Sequence, residues 1–138
     1  MKNGEYFISK DKALLQTETI HQFLSRSYWA NRRTLAQVQA SIENSICYGV
    51  YHGTRQIGFA RIITDWATMY YLCDVFIDEE YRGQGIGRRL VDLIVQSEEL
   101  DGLTGVLGTK DAHGLYESFG FVRDPDRFMK RRPTNPWA

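Results

Sequence analysis

Cysteine is scarce in this chain: Cys47 and Cys73 are the two among 138 residues. They form no CxxC pair, and no His or Cys cluster has zinc-ligand spacing. Neither disulfides nor a structural metal is required, because a chain of this length removes roughly two thirds of its unfolded surface from water on folding. Both cysteines lie in apolar stretches where buried free thiols are the ordinary outcome, which implies a reducing compartment. Long apolar runs are missing as well. Nothing approaches the roughly 18 residues of a membrane span, and the polar start MKNGEY lacks the apolar stretch of a signal peptide. The expected setting is therefore cytoplasmic, with no membrane partner. An excess of either charge is also lacking. Seventeen basic and seventeen acidic side chains give a net charge of zero, so no global field exists to capture nucleic acid. The local exceptions are Arg32 with Arg33, Arg88 with Arg89, and the basic run 130–132; the first and last are expected on solvated faces. With no repeat, linker or low-complexity segment, residues 1–138 read as one domain, and 131–138, carrying two prolines, as a loose tail.

What is present is a sequence of apolar periodicities. EYFIS, 5–9, reads as a strand, and KDKALLQTETIHQFLSRS as one helix capped by Asp11, with Leu14, Leu15, Ile20, Phe23 and Leu24 near helical spacing. Thr34 opens a second helix carrying Leu35, Val38 and Ile42. Three β-branched and aromatic runs follow, at 46–52, 56–64 and 69–77, the first two joined by His52-Gly53-Thr54 as a hairpin. They predict an antiparallel meander. A helix is expected from Gly85 to Glu99, a strand from Leu103 to Thr109, and a short helix from Ala112 to Phe119 closed by Gly120. A last extended segment, Phe121 to Met129, is interrupted at Pro125. The fold class is α/β (α+β), a mixed sheet with helices on both faces.

The stretch YRGQGIGRRL, 81–90, places three glycines in five positions at the start of a helix. Unpaired N–H groups at a helix start, cleared of side chains and aided by the helix dipole, make an anion site suited to phosphate. A nucleoside-triphosphate loop would need Lys and Ser or Thr after its last glycine, but Gly87 precedes Arg88, Arg89 and Leu90. A dinucleotide fingerprint also fails, since Arg88 and Leu90 stand three positions beyond Gly85 and Gly87.

Arg82-Gly83-Gln84-Gly85-Ile86-Gly87 resembles the RxxGxG motif of the GNAT family of acetyl-CoA-dependent N-acetyltransferases. The stretch 109–122, TKDAHGLYESFGFV, resembles that family's second signature, with Ala112, Tyr116, Gly120 and Phe121 at its positions. The resemblance implies a mostly antiparallel GNAT-type sheet splayed between its fourth and fifth strands, with acetyl-CoA in the gap and no metal. Val75, Phe76 and Ile77 would offer backbone groups to pantetheine. The segment Arg82, Gly83, Gln84, Gly85, Ile86, Gly87, Arg88 would hold the pyrophosphate, and Arg88 or Arg89 would reach a CoA phosphate or else line a solvated helix face. Tyr116 would be the acid that protonates the leaving thiolate. The strand before the glycines carries neither the Glu nor the His that many members use as base. Its one carboxylate, Asp74, takes the position of amine binding and possible proton acceptance, against a structural hydrogen bond as the plain alternative. Tyr28 and Trp29, with Asp65 and Trp66, would line the acceptor pocket, or the first two would seal the core. His113 is given no catalytic role, and Cys73 is treated as core. The implied reaction moves acetyl from acetyl-CoA to a primary amine of a small molecule by direct attack in a ternary complex. Acetylation of a peptide or protein amine, and an acyl-CoA sensor without turnover, are the alternatives. A homodimer is open by the same analogy.

Overall fold

The computed structural model describes residues 5–134. Five strands form one sheet in the order β1 (Tyr6–Ser9), β2 (Ile46–His52), β3 (Arg55–Thr64), β4 (Met69–Ile77) and β5 (Thr104–Val106). Every neighbouring pair is antiparallel except β4 and β5, which run parallel. Helices α1 (Thr17–Ser25) and α2 (Leu35–Glu43) cover one face, and α3 (Ile86–Val95) with the short α4 (His113–Glu117) covers the other.

Two buried clusters follow from that layering. Ile20, Phe23, Leu24, Val38 and Ile42 close on Cys47, Phe59 and Phe76. On the opposite face Ile86, Leu90, Val91 and Ile94 close on Val50, Ile57, Ala60, Ile62 and Leu72. The period-2 alternation of β3 sends Phe59 to one cluster and Ala60 and Ile62 to the other, so this strand is buried on both sides.

Several expected boundaries move. The first helix does not run from residue 10: Asp11 caps only a 3-10 turn, Lys12–Leu14, and α1 begins at Thr17. The cause is tertiary. Gln16 and Gln56 lock reciprocally, each backbone N–H donating to the other's side-chain oxygen at 2.8 and 3.2 Å, and this holds the chain extended there. α3 ends at Val95, where Ser97 turns its hydroxyl and its N–H onto the Ile94 carbonyl. The strand expected over 103–109 shortens to Thr104–Val106. The last extended segment, Phe121 to Met129, joins no strand: Pro125 has no N–H to give, and the chain turns there, with Arg127 N–H reaching the Asp124 carbonyl at 3.4 Å. Of the tail expected to be loose, 131–134 forms no regular element, and 135–138 lies outside the described residues.

What positions the site is the partial pairing of β4 with β5. Only Met69, Tyr70 and Tyr71 face Thr104, Gly105 and Val106. The Tyr70 ring fills the space a Gly105 side chain would need, since a Cβ there would stand 2.3 Å from its Cζ. Beyond Tyr71 the outer edge of β4 has no strand partner among the described residues, and a V-shaped notch opens. A bulge sharpens it. The register with β3 slips between Phe59 and Arg61, and opposite the slip Asp74 adopts φ 54. Such a bulge bends a strand and increases its twist.

Candidate active site

The notch presents two sets of unpaired backbone groups. Asp78 N–H donates to the Ile57 carbonyl at 2.8 Å, so it faces β3. Backbone groups alternate sides along a strand, so Phe76 also turns to β3 while Val75 and Ile77 turn to the notch. The Ile77 carbonyl is already taken by Arg82 Nε at 2.8 Å. The expected pantetheine-pairing groups therefore reduce to those of Val75 and the Ile77 N–H. Phe76 contributes its ring instead, stacked on Phe23 at 5.1 Å and covered by the Arg82 guanidinium at 4.9 Å.

At the end of β4 a 3-10 turn, Glu79–Tyr81, is capped by Asp78 and leads into the glycines. Gly83 and Gly85 have φ of 79° and 80°, and a Cβ on either would point into open space. That left-handed backbone is nearly free for glycine alone, and it aims the start of α3 at the notch. The first helical bond runs from Arg89 N–H to the Gly85 carbonyl, 3.1 Å, which leaves the N–H groups of Ile86, Gly87 and Arg88 without helical acceptors. Gln84 adds a buried side-chain oxygen with no hydrogen-bond partner. Arg82 N–H closes the preceding turn on the Glu79 carbonyl, so this residue offers its guanidinium more than its backbone. Arg88 reaches Ser118 Oγ at 3.0 Å and stacks over Phe119, tying α3 to α4. An open strand edge beside a cleared helix start fits a molecule that is amide-bearing along one part and phosphate-bearing at another.

Tyr116, on α4, is 8% exposed and sits in the cluster with Leu72 and Ile86, against which Val75 also packs. Burial, reinforced by Tyr28 and Asp111 nearby, pushes its hydroxyl up to about 12, so it keeps its proton throughout the physiological range. Tyr28 spans from the α1–α2 loop to the far side of the notch. Its hydroxyl accepts from Lys110 N–H at 2.9 Å, its ring lies 5.5 Å from the Lys110 ammonium, and Trp29 packs edge-on beside it. The loop thus bridges the gap that β4 and β5 leave.

Asp74 is held by three partners. Arg33 Nη1 and Arg61 Nε donate to Oδ2 at 2.6 and 2.9 Å, and Trp29 Nε1 donates to Oδ1 at 3.0 Å. Its side chain is 1% exposed. This is an internal ion-pair hub with no free oxygen facing solvent. Arg33, expected on a solvated face, is instead its partner, and Arg61 is a second that the sequence reading overlooked. The signal was available: an arginine in the apolar run QIGFARIIT requires a buried counter-charge, and Asp74 is the carboxylate of the adjacent strand. Asp65 and Trp66 do not join this group. Asp65 accepts from the Thr68 hydroxyl and from the N–H groups of Thr68, Ala67 and Met69, which together hold its carboxyl well below the usual range. That turn lies five strand residues from Asp74, roughly 16 Å away. Cys73 lies beside the hub, and burial pushes its thiol up to about 12, far from a nucleophile's range.

Residues 43–123 match the acetyltransferase (GNAT) domain family, well over half the chain. The chain belongs to the GNAT family of acyltransferases. A crystal structure of a protein assigned to the GNAT family from Xanthomonas campestris pv. campestris is 39% identical and matches with a TM-score of 0.90, over 96% of both chains. A protein of Gibberella zeae assigned as an acetyltransferase is 34% identical over 119 residues, 72% of this chain and 66% of its own length. A histone acetyltransferase of Glycine max is 26% identical over 110 residues, covering 69% of this chain and 47% of the plant protein. The GNAT chain thus spans about two thirds of the fungal relative and about half of the plant one. Among the described residues no helix is long and apolar enough to cross a membrane, and no group of His, Cys, Asp or Glu could hold a metal ion.

Proposed function

We propose that the protein transfers acetyl from acetyl-CoA to a primary amine of a small molecule, both substrates being bound together in the notch. The observation that carries this reading is the pairing of an open β4 edge at Val75 and Ile77 with the cleared start of α3 at Gly83 to Arg88. The first suits pantetheine amides, and the second suits the pyrophosphate through free N–H groups and the helix dipole. Acetyl-CoA supplies an activated acetyl thioester.

The remaining work falls to the chain's own residues. The Val75 N–H, beside the bulge, is available to an oxyanion on the reacting carbonyl. Tyr116 keeps its proton until the sulfur leaves and then donates it. Asp74, saturated by Arg33, Arg61 and Trp29, fixes the loop that carries Tyr28 and Trp29, and the amine's proton passes to solvent instead. Tyr28 and Trp29 wall the acceptor side. Holding both reactants in this geometry supplies much of the rate.

Thermal unfolding with acetyl-CoA, ATP and NAD tests the cofactor. Acetyl-CoA at about 100 times its dissociation constant should add about 2.7 kcal/mol and raise the midpoint by several degrees, with no comparable effect from the other two. Equal shifts with all three, or none with acetyl-CoA, would remove the support for this reading. Release of CoA in the presence of an amine then tests turnover.

A further inference from the structure

The acceptor side of the notch carries a charge imbalance that acetyl transfer does not account for. Asp74 stands alone against two guanidinium groups, those of Arg33 and Arg61. The other titratable groups facing them do not redress it. Cys73 and Cys47 are thiols pushed up to about 12 and about 11 by burial, and Tyr71, also raised by burial, stays a neutral phenol. Lys12 lies toward Cys47 and adds a further positive field. At the rim, the Lys110 ammonium sits over the Tyr28 ring, with Asp111 near Tyr116 on the opposite wall. An excess cation in a semi-enclosed place is costly unless an anion meets it.

The excess has a definite location. Arg61 is 8% exposed and divides its donors between Asp74 and Ser45 Oγ. Arg33 keeps 29% of its side chain exposed, and Asp74 engages a single one of its five N–H donors. It is also rigidly placed. Its carbonyl accepts from His21 Nε2 at 2.9 Å, its N–H reaches the Ala30 carbonyl at 3.3 Å, and the next residue, Thr34, closes a capping box with Gln37. The floor beside it, Tyr71 and Cys73, is only half-buried, and Ile63 across from Tyr71 is exposed, so the helices leave this part of the sheet uncovered. Asp74, the carboxylate beside this floor, already has both oxygens engaged by Trp29, Arg33 and Arg61.

We propose that the acceptor carries an oxyanion group, a carboxylate or a phosphate, near its amine, and that Arg33 reads that group through its unused donors. This rests on the acetyl-transfer reading and narrows it, since acceptors with several positive charges and no anion are disfavoured. A planar guanidinium fork takes either anion through paired hydrogen bonds.

The test compares amines matched except for the anion: lysine with cadaverine, and glucosamine 6-phosphate with glucosamine, each followed by acetyl-CoA-dependent release of CoA. In one pair the anion-bearing member should be favoured about tenfold or more in kcat/KM, and which pair responds tells carboxylate from phosphate. Arg33→Gln should erase that preference, while Arg33→Lys, which keeps the charge and the Asp74 pairing, should retain part of it. Equal or better use of cadaverine and glucosamine overturns the inference. So does a preference that survives Arg33→Gln, or failure of both anionic amines to react or bind while acetyl-CoA still shifts the melting midpoint. Absence of that shift would instead strike the acetyl-transfer reading itself, and this inference with it.

Discussion

Asp74 occupies a left-handed backbone position, φ 54, that Asp tolerates better than most residues, and its carboxylate joins three side chains from two other elements. Removing the charge while keeping the shape leaves two guanidiniums uncompensated. Asp74→Asn should therefore cost about 3–5 kcal/mol of stability in denaturant unfolding, the usual range for breaking a buried ion pair from one side. A loss under 1 kcal/mol would mean the hub is not a structural ion pair. Tyr116→Phe tests a different role. It should lower kcat by about 10²-fold or more while leaving the KM for acetyl-CoA nearly unchanged. Because burial holds the Tyr116 hydroxyl at about 12, the wild-type rate should show no alkaline fall from this group below pH 10. A pH–rate profile checks this. The place of Tyr116 on the short helix α4 was legible from the sequence because a local signature carries it. The Arg33–Asp74–Arg61 hub was not, because its members come from a loop and two strands, and their meeting depends on how α2 packs against the sheet.

Among the elements, α3 joins local signal to site most directly. Its apolar residues Ile86, Leu90, Val91 and Ile94 face the sheet, and its start is set by Gly85 in the left-handed region. No atom lies within 4 Å of a Cβ built on Gly85, so Gly85→Ala would be strained by conformation and not by a clash. It should destabilise the protein by about 1–2 kcal/mol and weaken acetyl-CoA binding as well, since the strained turn also aims the free N–H groups. Calorimetric titration alongside thermal unfolding separates the two effects. A variant with full affinity would show that the turn's conformation is incidental to the cofactor. For α2 the Thr34–Gln37 capping box is partly legible, in that Thr34 is the expected opener. The break before α1 was not, because the Gln16–Gln56 lock spans 40 positions of chain and leaves no local mark.

Across the whole molecule, burial of thiols and phenols makes stability depend on pH at the alkaline side. Burial raises Cys47 to about 11 and Cys73, Tyr51 and Tyr116 to about 12, from ordinary values of 9.0 for the thiols and 10.0 for the phenols. Below pH 9 these groups are protonated in both states and their contribution is fully present. Between pH 9 and pH 12 the unfolded chain loses protons that the folded one retains, so unfolding releases protons and stability falls. Melting temperature measured from pH 7 to pH 11 should be level at first and then decline. A flat profile to pH 11 would show these side chains to be far more hydrated than their burial indicates.

The sequence by itself determined the order of strands and helices, the glycine turn at 83–87 and the position of Tyr116, because each rests on neighbours within a turn or a strand's length, where periodicity and backbone preference act. It also carried the family resemblance, which lives in two such local motifs. Tertiary structure alone decided that Phe121 to Met129 pairs with nothing, that Phe76 turns its backbone away from the notch, and that Asp65 belongs to a hairpin turn. It also made Asp74 an internal counter-ion and Arg33 its half-exposed partner. These outcomes depend on register, on a bulge and on charges brought together from distant positions, and such long-range pairings leave no periodic trace in the chain that makes them.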